Sequence, residues 1–194
     1  MKKKVSKIAL FGTSADPPTI GHHALLIGLL NIFPKVVTWA SDNPIKNHQV
    51  SLKKRIQLLK VVVKTINNPS LELVQEISSP WTITSLERAK TKWPNEELVF
   101  VIGSDLTSEI PSWFKAKSLL KKARIAIAPR KGCPIDSKAV QKLKELGGKI
   151  DLLSIEIPSS SSSGVRQHSL KSDIPSSLLP LICKENLYGI PKEN

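Results

Sequence analysis

Cysteine is scarce in this 194-residue sequence, which has only Cys133 and Cys183. The two form no CxxC pair and have no histidine at ligand spacing, so the cysteine pattern predicts neither a zinc site nor a disulfide-stapled scaffold. We expect two reduced thiols. Long apolar runs are lacking too, which argues against a membrane span, and the run behind the basic N-terminus stops at Gly12, too early for a signal peptide. These absences predict a cytoplasmic protein.

Acidic residues are also few. Asp and Glu number 16 against 29 Lys and Arg, which gives a net charge of +13, and basic surfaces attract phosphates and nucleic acids. The lysines are spread over the N-terminus and over the segments 52–64 and 115–131, so they do not form one stripe. We therefore predict no nucleic-acid partner. With hydrophobic residues at 40% and charged residues at 23%, the composition is otherwise typical of a globular domain.

Short apolar, β-branched runs alternate with segments of helical period along most of the sequence. The runs that predict buried strands are 8–11, 36–40, 71–74, 98–102, 125–128 and 150–157. The segments that predict helices are 21–32, 52–66, 83–92, 112–122, 137–146 and a terminal 175–187. Ser51 and Thr82 stand where they can cap the second and third helices. The alternation predicts an α/β fold, a Rossmann-like doubly wound parallel sheet, because parallel strands are joined by crossover helices.

We expect a single domain over 1–194, with an α/β core over about 1–158 and a small helical C-terminal appendage over about 159–194. The appendage opens with the serine tract 159–163, which composition alone would make a flexible loop. The tract follows the last predicted strand, however, and α/β sheets bind ligands at the carboxyl ends of their strands. Its position therefore predicts a ligand-binding loop.

The segment 12–22 reads Gly-Thr-Ser-Ala-Asp-Pro-Pro-Thr-Ile-Gly-His and joins the first predicted strand to the first helix. A phosphate-binding loop needs inward-pointing N–H groups, a helix N-terminus and further donors. Gly12 is expected to permit a tight turn, and Thr19 and His22, three residues apart, can face one ligand. The candidate phosphate-binding residues of this loop are Gly12, Thr13, Ser14, Thr19, Gly21 and His22.

This loop resembles the (H/T)xGH signature of the nucleotidyltransferase α/β-phosphodiesterase superfamily, and specifically the GGTFDPxHxGH loop of bacterial nicotinate-nucleotide adenylyltransferases. Thr19 stands at the first histidine of that pattern and Ala15 at its phenylalanine. The resemblance extends over nearly the whole sequence. It implies that His22 binds the α and β phosphates of ATP with supporting hydrogen bonds from Thr19 and Ser14. Asp16 is expected to organise the loop and not to act as a base.

Two later segments resemble the ATP-binding motifs of the same family. Gly103-Ser104-Asp105 matches its Gly-x-Asp turn, whose acid can accept both hydrogen bonds of a ribose diol. The segment 161–166, Ser-Ser-Ser-Gly-Val-Arg, resembles its Ile-Ser-Ser-Thr-x-Ile-Arg motif, which implies a guanidinium on the leaving pyrophosphate. These motifs add the candidate ATP ligands Gly103, Asp105, Ser161, Ser162, Ser163 and Arg166. The candidate catalytic residues are His22, Thr19 and Arg166.

The remaining matches concern the second substrate. The resemblance implies that Lys46, in Asn-Pro-Ile-Lys after the second strand, approaches the phosphate of a mononucleotide. Trp81 and Thr82 match the aromatic and threonine of the family's Tyr-Thr-x-x-Thr-Leu motif around the pyridine ring, and Trp113 matches the tryptophan that stacks on the ring. Arg130 matches a Pro-Arg pair without a defined role and joins the mononucleotide set.

The implied reaction is adenylyl transfer from ATP to nicotinate mononucleotide, giving nicotinate adenine dinucleotide and pyrophosphate in NAD biosynthesis. Such a displacement at phosphorus can run on positioning and charge neutralisation. The expected partners are ATP and a pyridine mononucleotide. Mg²⁺ is expected to arrive with ATP, without a dedicated protein site. Open alternatives are nicotinamide mononucleotide or another (H/T)xGH substrate, or a non-catalytic nucleotide- or RNA-binding module; the oligomeric state also stays open, with a homo-oligomer among the options.

Overall fold

The computed structural model describes residues 6–191. Its centre is one six-stranded parallel sheet with the strand order β3-β2-β1-β4-β5-β6. The strands are β1 (Lys7–Thr13), β2 (Lys35–Ala40), β3 (Leu71–Leu73), β4 (Glu97–Gly103), β5 (Arg124–Ala128) and β6 (Lys149–Leu152). The strand order reverses direction between β1 and β4, and such a switch point opens a crevice at the carboxyl ends of the strands. The predicted α/β doubly wound fold is therefore confirmed.

Seven α-helices cover the two faces of the sheet in the described part of the chain. They are α1 (Ile20–Leu30), α2 (Leu52–Ile66), α3 (Thr82–Lys92), α4 (Ala116–Lys122), α5 (Ser137–Glu145), α6 (Ser162–His168) and α7 (Leu179–Lys184). None of these helices is long and apolar enough to cross a membrane. Cys133 and Cys183 are free thiols, as expected.

Alternate residues of β1 enter two separate cores because successive side chains of a strand point to opposite faces. Ala9 and Phe11 pack on one face with residues of α1 and α2, and Ile8 and Leu10 pack on the other. The first core also takes in the C-terminal segment, through Ile174, Leu178, Ile182, Tyr188 and Ile190. The residues after β6 are thereby packed on the same face of the sheet as α1 and α2.

Four local predictions are wrong. The third helix has Trp81 as its N-cap, with Thr82 already its first helical residue, whereas Ser51 caps α2 as predicted by accepting a bond from the Lys54 N–H. Strand β6 ends at Leu152 and not at 157. Helix α4 begins at 116 because Lys115 has a left-handed φ of 53°. The predicted helix 175–187 is divided into a 3-10 turn, α7 and a further 3-10 turn.

Candidate active site

The loop from β1 to α1 is shaped differently from the prediction. Gly12 lies inside β1, and the left-handed residue of the turn is Ala15, with φ of 51°. Gly12 is required for a close approach: a Cβ there would lie 2.6 Å from the indole of Trp39, which is buried in β2. The expectation that Gly12 provides the tight turn is therefore wrong, because strand packing, and not a positive φ, excludes a side chain there.

His22 is held at the start of α1 by two threonines. The main-chain N–H of Thr19 donates to Nδ1 at 3.0 Å, the Thr19 hydroxyl lies 2.9 Å from the same atom, and Nε2 lies 2.8 Å from Oγ1 of Thr13. Because Nδ1 accepts a main-chain hydrogen bond, the proton of the neutral ring is on Nε2. The Nε2–H of the imidazole is therefore a donor directed at the hydroxyl of Thr13.

Burial lowers the pKa of His22 to about 4, and the positive charges of Arg130 and Lys46 act in the same direction against the opposing effect of Asp105. The ring is consequently neutral near pH 7. The charges of Arg130, Asp105 and Lys46 therefore all act on one imidazole, although these residues follow three different strands, β5, β4 and β2. An anion bound beside His22 would have cationic groups around it.

The serine tract meets the first loop. Oγ of Ser160 accepts the Gly21 N–H at 2.9 Å and donates to Thr19 Oγ1 at 3.2 Å, and Ser162 Oγ donates to the Pro17 carbonyl at 2.8 Å. The Arg166 guanidinium donates to the Asp16 carbonyl at 2.7 Å. The two predicted phosphate-binding segments therefore form one structure, although they lie far apart in sequence.

Individual groups of the serine tract have local roles. Ser161 Oγ accepts the Gly164 N–H at 2.8 Å as the N-cap of α6, and Ser163 Oγ accepts from Arg166 at 3.3 Å. Ser160 was not singled out as a ligand, although it lies in the serine tract that was predicted to form a ligand-binding loop. It is buried between the two loops, which only the fold brings together.

Asp105 and Arg130 form an ion pair across the ends of β4 and β5. The Arg130 Nη1 to Asp105 Oδ2 distance is 2.9 Å, and Nη2 of Arg130 donates to the carbonyl of Ser160. A Cβ at Gly103 would lie 2.4 Å from Oδ1 of Asp105, so the missing side chain makes room for the carboxylate. Arg130, predicted with the mononucleotide residues, thus lies against a residue of the predicted ATP set.

The residues predicted for the mononucleotide lie on the loops after β2 and β4 and at the start of α3. Lys46 is exposed on the loop that follows β2. Trp81 and Phe114 are 42% and 48% exposed and contact each other with ring centroids 5.0 Å apart. Trp113 is half-buried and meets Phe100 edge-on at 6.4 Å. Phe114 was missed by the sequence analysis; its only signal was its place next to Trp113.

Arg55 of α2 is a second residue that the sequence analysis missed. Only 1% of it is exposed, and its guanidinium donates to the carbonyls of Ser14 at 2.9 Å and Ser41 at 2.5 Å and to the Asp42 carboxylate at 2.6 Å. A buried guanidinium needs such partners, since a lone buried charge is costly. Arg55 therefore joins the loop after β1 to the loop after β2.

No group of three or more His, Cys, Asp or Glu side chains within residues 6–191 is arranged to hold a metal ion. The acidic groups of the site are engaged in protein contacts, since Asp105 pairs with Arg130 and Asp16 is fully buried. Phosphate oxygens are themselves suitable ligands for Mg²⁺. Phosphate oxygens of a bound nucleotide would therefore be among the ligands of a magnesium ion at this site.

The chain is similar to nucleotidyltransferases in sequence and in structure. A model of the cytidylyltransferase-like family matches residues 10–168. A probable nicotinate-nucleotide adenylyltransferase of Synechocystis is 36% identical over 94% of this chain and 98% of its own length. The nicotinate-nucleotide adenylyltransferase of Bacillus subtilis is 28% identical over 69% and 74%. The Plasmodium falciparum nicotinic acid mononucleotide adenylyltransferase complexed with NaAD superposes with a TM-score of 0.76 at 25% identity, covering 97% of this chain and all of that one.

Proposed function

This chain belongs to the cytidylyltransferase-like family and, within it, to the nicotinate-nucleotide adenylyltransferases, and we propose that it transfers the adenylyl group of ATP to nicotinate mononucleotide. The products are nicotinate adenine dinucleotide and pyrophosphate, a step of NAD biosynthesis. The observation that carries the proposal is the junction of the 12–22 loop with the serine tract beside His22. It brings together neutral and cationic donors suited to a triphosphate.

The reaction is a displacement at the α-phosphorus of ATP. An oxygen of the mononucleotide phosphate forms the new P–O bond as the bond to the β-phosphate bridge breaks, and the electron pair leaves with pyrophosphate. No protein nucleophile is needed, because positioning and charge neutralisation supply the catalysis. Mg²⁺ bound to ATP would screen the phosphate charges when present.

We propose specific roles for the donors around this phosphorus. The Nε2–H of His22 donates to the α and β phosphates, exchanging the Thr13 hydroxyl for a phosphate oxygen. Thr19 keeps the ring oriented through Nδ1. Arg166 neutralises charge on the leaving pyrophosphate, and Lys46 holds the attacking phosphate. In this assignment no protein side chain gives or takes a proton during the reaction.

The two ends of the product would be bound by different loops. Asp105 can accept hydrogen bonds from the ribose of ATP, with Arg130 fixing the carboxylate. The exposed Trp81–Phe114 pair supports a site for the pyridine ring, since aromatic faces stack on flat heterocycles. Trp113, partly packed on Phe100, directly precedes Phe114 in the chain.

Pyrophosphate release tests the proposal. The purified protein with MgATP should turn over nicotinate mononucleotide faster than nicotinamide mononucleotide or phosphopantetheine, and CTP should not replace ATP. Preference for nicotinamide mononucleotide would change the substrate, and preference for CTP or phosphopantetheine would change the enzyme class. Absence of release with every pair would contradict catalysis and favour a nucleotide-binding module.

A further inference from the structure

Asp16 is a buried carboxylate that the proposed reaction does not use. It lies at the centre of the 12–22 loop, with no exposed surface. An ionised group in such a place must be compensated by hydrogen bonds and nearby positive charge. Its partners come from two other parts of the chain, the loop after β2 and the C-terminal segment.

Each carboxylate oxygen of Asp16 binds a different segment. Oδ1 accepts the hydroxyl of Tyr188 at 2.9 Å, and Oδ2 accepts the main-chain N–H of Gln49 at 2.7 Å. Nδ1 of His48 lies 3.6 Å and Nη1 of Arg166 lies 4.0 Å from Oδ2. One side chain thus joins the first loop to the Lys46-bearing loop and to the segment that follows β6.

The link is costly to break. Tyr188 is 2% exposed. Its burial and, to a smaller extent, the negative charge of Asp16 raise the pKa of its hydroxyl well above the usual range. The hydroxyl therefore stays protonated and donates. Separating either donor from Asp16 would leave a buried acceptor unsatisfied. A shift of the 12–22 loop should therefore be transmitted to Gln49 and from there to Lys46, three residues earlier.

We propose that Asp16 is a positioning residue that couples the two substrates, because it ties the mononucleotide-binding loop to the ATP-binding loop. This inference rests on the proposed function. Bound ATP orders the 12–22 loop, Asp16 fixes Gln49 and the loop around it, and Lys46 is then in position for the mononucleotide phosphate. Coupling is reciprocal, so bound mononucleotide must favour ATP by the same factor.

The coupling can be measured in binding experiments with the full chain. The dissociation constant of nicotinate mononucleotide is determined by calorimetry with and without a saturating ATP analogue that has a methylene between the α and β phosphorus atoms. In the wild-type protein the analogue should tighten mononucleotide binding at least about fivefold, the lower range of typical couplings. Asp16→Asn should bring this factor close to one, since the amide presents a donor where a second acceptor is required.

Two further variants separate coupling from a general structural role. Tyr188→Phe removes one hydrogen bond, keeps the charge, and should give an intermediate factor; it also decides the question if Asp16→Asn does not fold. Glu185→Gln removes a different contact of the same C-terminal segment, the ion pair with Lys54 of α2, and should retain the wild-type factor. In the Asp16 and Tyr188 variants, the ATP analogue alone and the mononucleotide alone should each bind within about threefold of wild type, because the residues that contact them are unchanged.

The outcomes distinguish the two proposals. Wild-type turnover with a factor near one, or an unchanged factor in both variants, would overturn the coupling and leave the proposed function intact. Equal loss in the Glu185→Gln control would also overturn it, because the loss of any contact of the C-terminal segment would then have the same effect. Failure of the wild-type protein to bind nicotinate mononucleotide at all would overturn both.

Discussion

The imidazole of His22 is oriented by hydroxyl and main-chain groups, the contacts being with Thr13 and Thr19. Thr19 stands where the adenylyltransferase loop pattern has a histidine. It is only 1% exposed and accepts a hydrogen bond from Ser160, so the smaller side chain is enclosed by its neighbours. The main-chain N–H on Nδ1 defines the tautomer regardless of which side chain stands at 19. We therefore expect His22 to retain its donor role despite the substitution.

His22→Ala should slow turnover about 10²- to 10³-fold, as does the loss of other preorganised electrostatic donors. Steady-state pyrophosphate release measures the loss, and circular dichroism and thermal melting check that the variant is folded. His23→Ala is the matched control, since His23 follows directly in α1 and should leave kcat unchanged. Near-normal turnover in folded His22→Ala would contradict the role given to the imidazole.

At the scale of elements, the N-terminus of α1 and the serine tract can approach closely because Gly21 has no side chain. A Cβ at Gly21 would lie 2.6 Å from Ser160 Oγ and 3.2 Å from Cγ2 of Ile157. The glycine is therefore needed for the approach of the two loops, although glycine is a poor helix former. The proposed ATP site depends on this approach because its donors lie on both sides of it.

Gly21→Ala should destabilise the protein by about 1–3 kcal/mol through overpacking and raise the KM for ATP. In a Ser160→Ala background, where the hydroxyl is absent, the same change should cost clearly less, which makes a double-mutant cycle with a favourable interaction between the two alanines. Urea unfolding measures the stabilities. Additive effects, with no interaction between the sites, would mean that Gly21 and Ser160 do not contact closely.

At the scale of the whole molecule, the buried neutral His22 makes stability depend on pH. The unfolded chain takes up a proton at this histidine near its ordinary pKa of 6.5, whereas in the folded chain burial lowers that pKa to about 4. Between these values the unfolded state binds more protons, so stability falls as pH is lowered and is fully present above about 6.5. His48, whose pKa burial also lowers, acts in the same direction.

The free energy of unfolding should therefore drop more between pH 7 and pH 5 in wild type than in His22→Asn, by about 2 kcal/mol from this one group. Urea titrations at both pH values, subtracted between the two proteins, isolate the contribution from that of the other titrating groups. Equal drops in the two proteins would show that His22 binds its proton equally in the folded and the unfolded chain. Saturating ATP should reduce the difference, because phosphates favour the protonated ring.

The order of strands and helices was determined by the sequence itself, because buried parallel strands require continuous apolar runs and crossover helices require helical period. Two of the four local errors fall where single backbone angles decide. Lys115 adopts a left-handed conformation and delays α4, and Asn186, with φ of 51°, interrupts the last predicted helix. Such angles are set by the packing around them, and lysine has no local preference that would announce one.

The sequence by itself also predicted the residues of the proposed phosphate-binding loops, since a phosphate site at a strand-to-helix turn draws on neighbours in the chain. Only the tertiary structure decided which groups meet them: Arg55 joins two loops, Ser160 reaches Gly21, Tyr188 binds Asp16, and Phe114 pairs with Trp81. Most of these contacts join residues far apart in the chain, and local pattern carries no information on them. The contacts of Arg55, Ser160 and Tyr188 are set by the packing of α2 and the C-terminal segment on one core, which is a property of the whole fold.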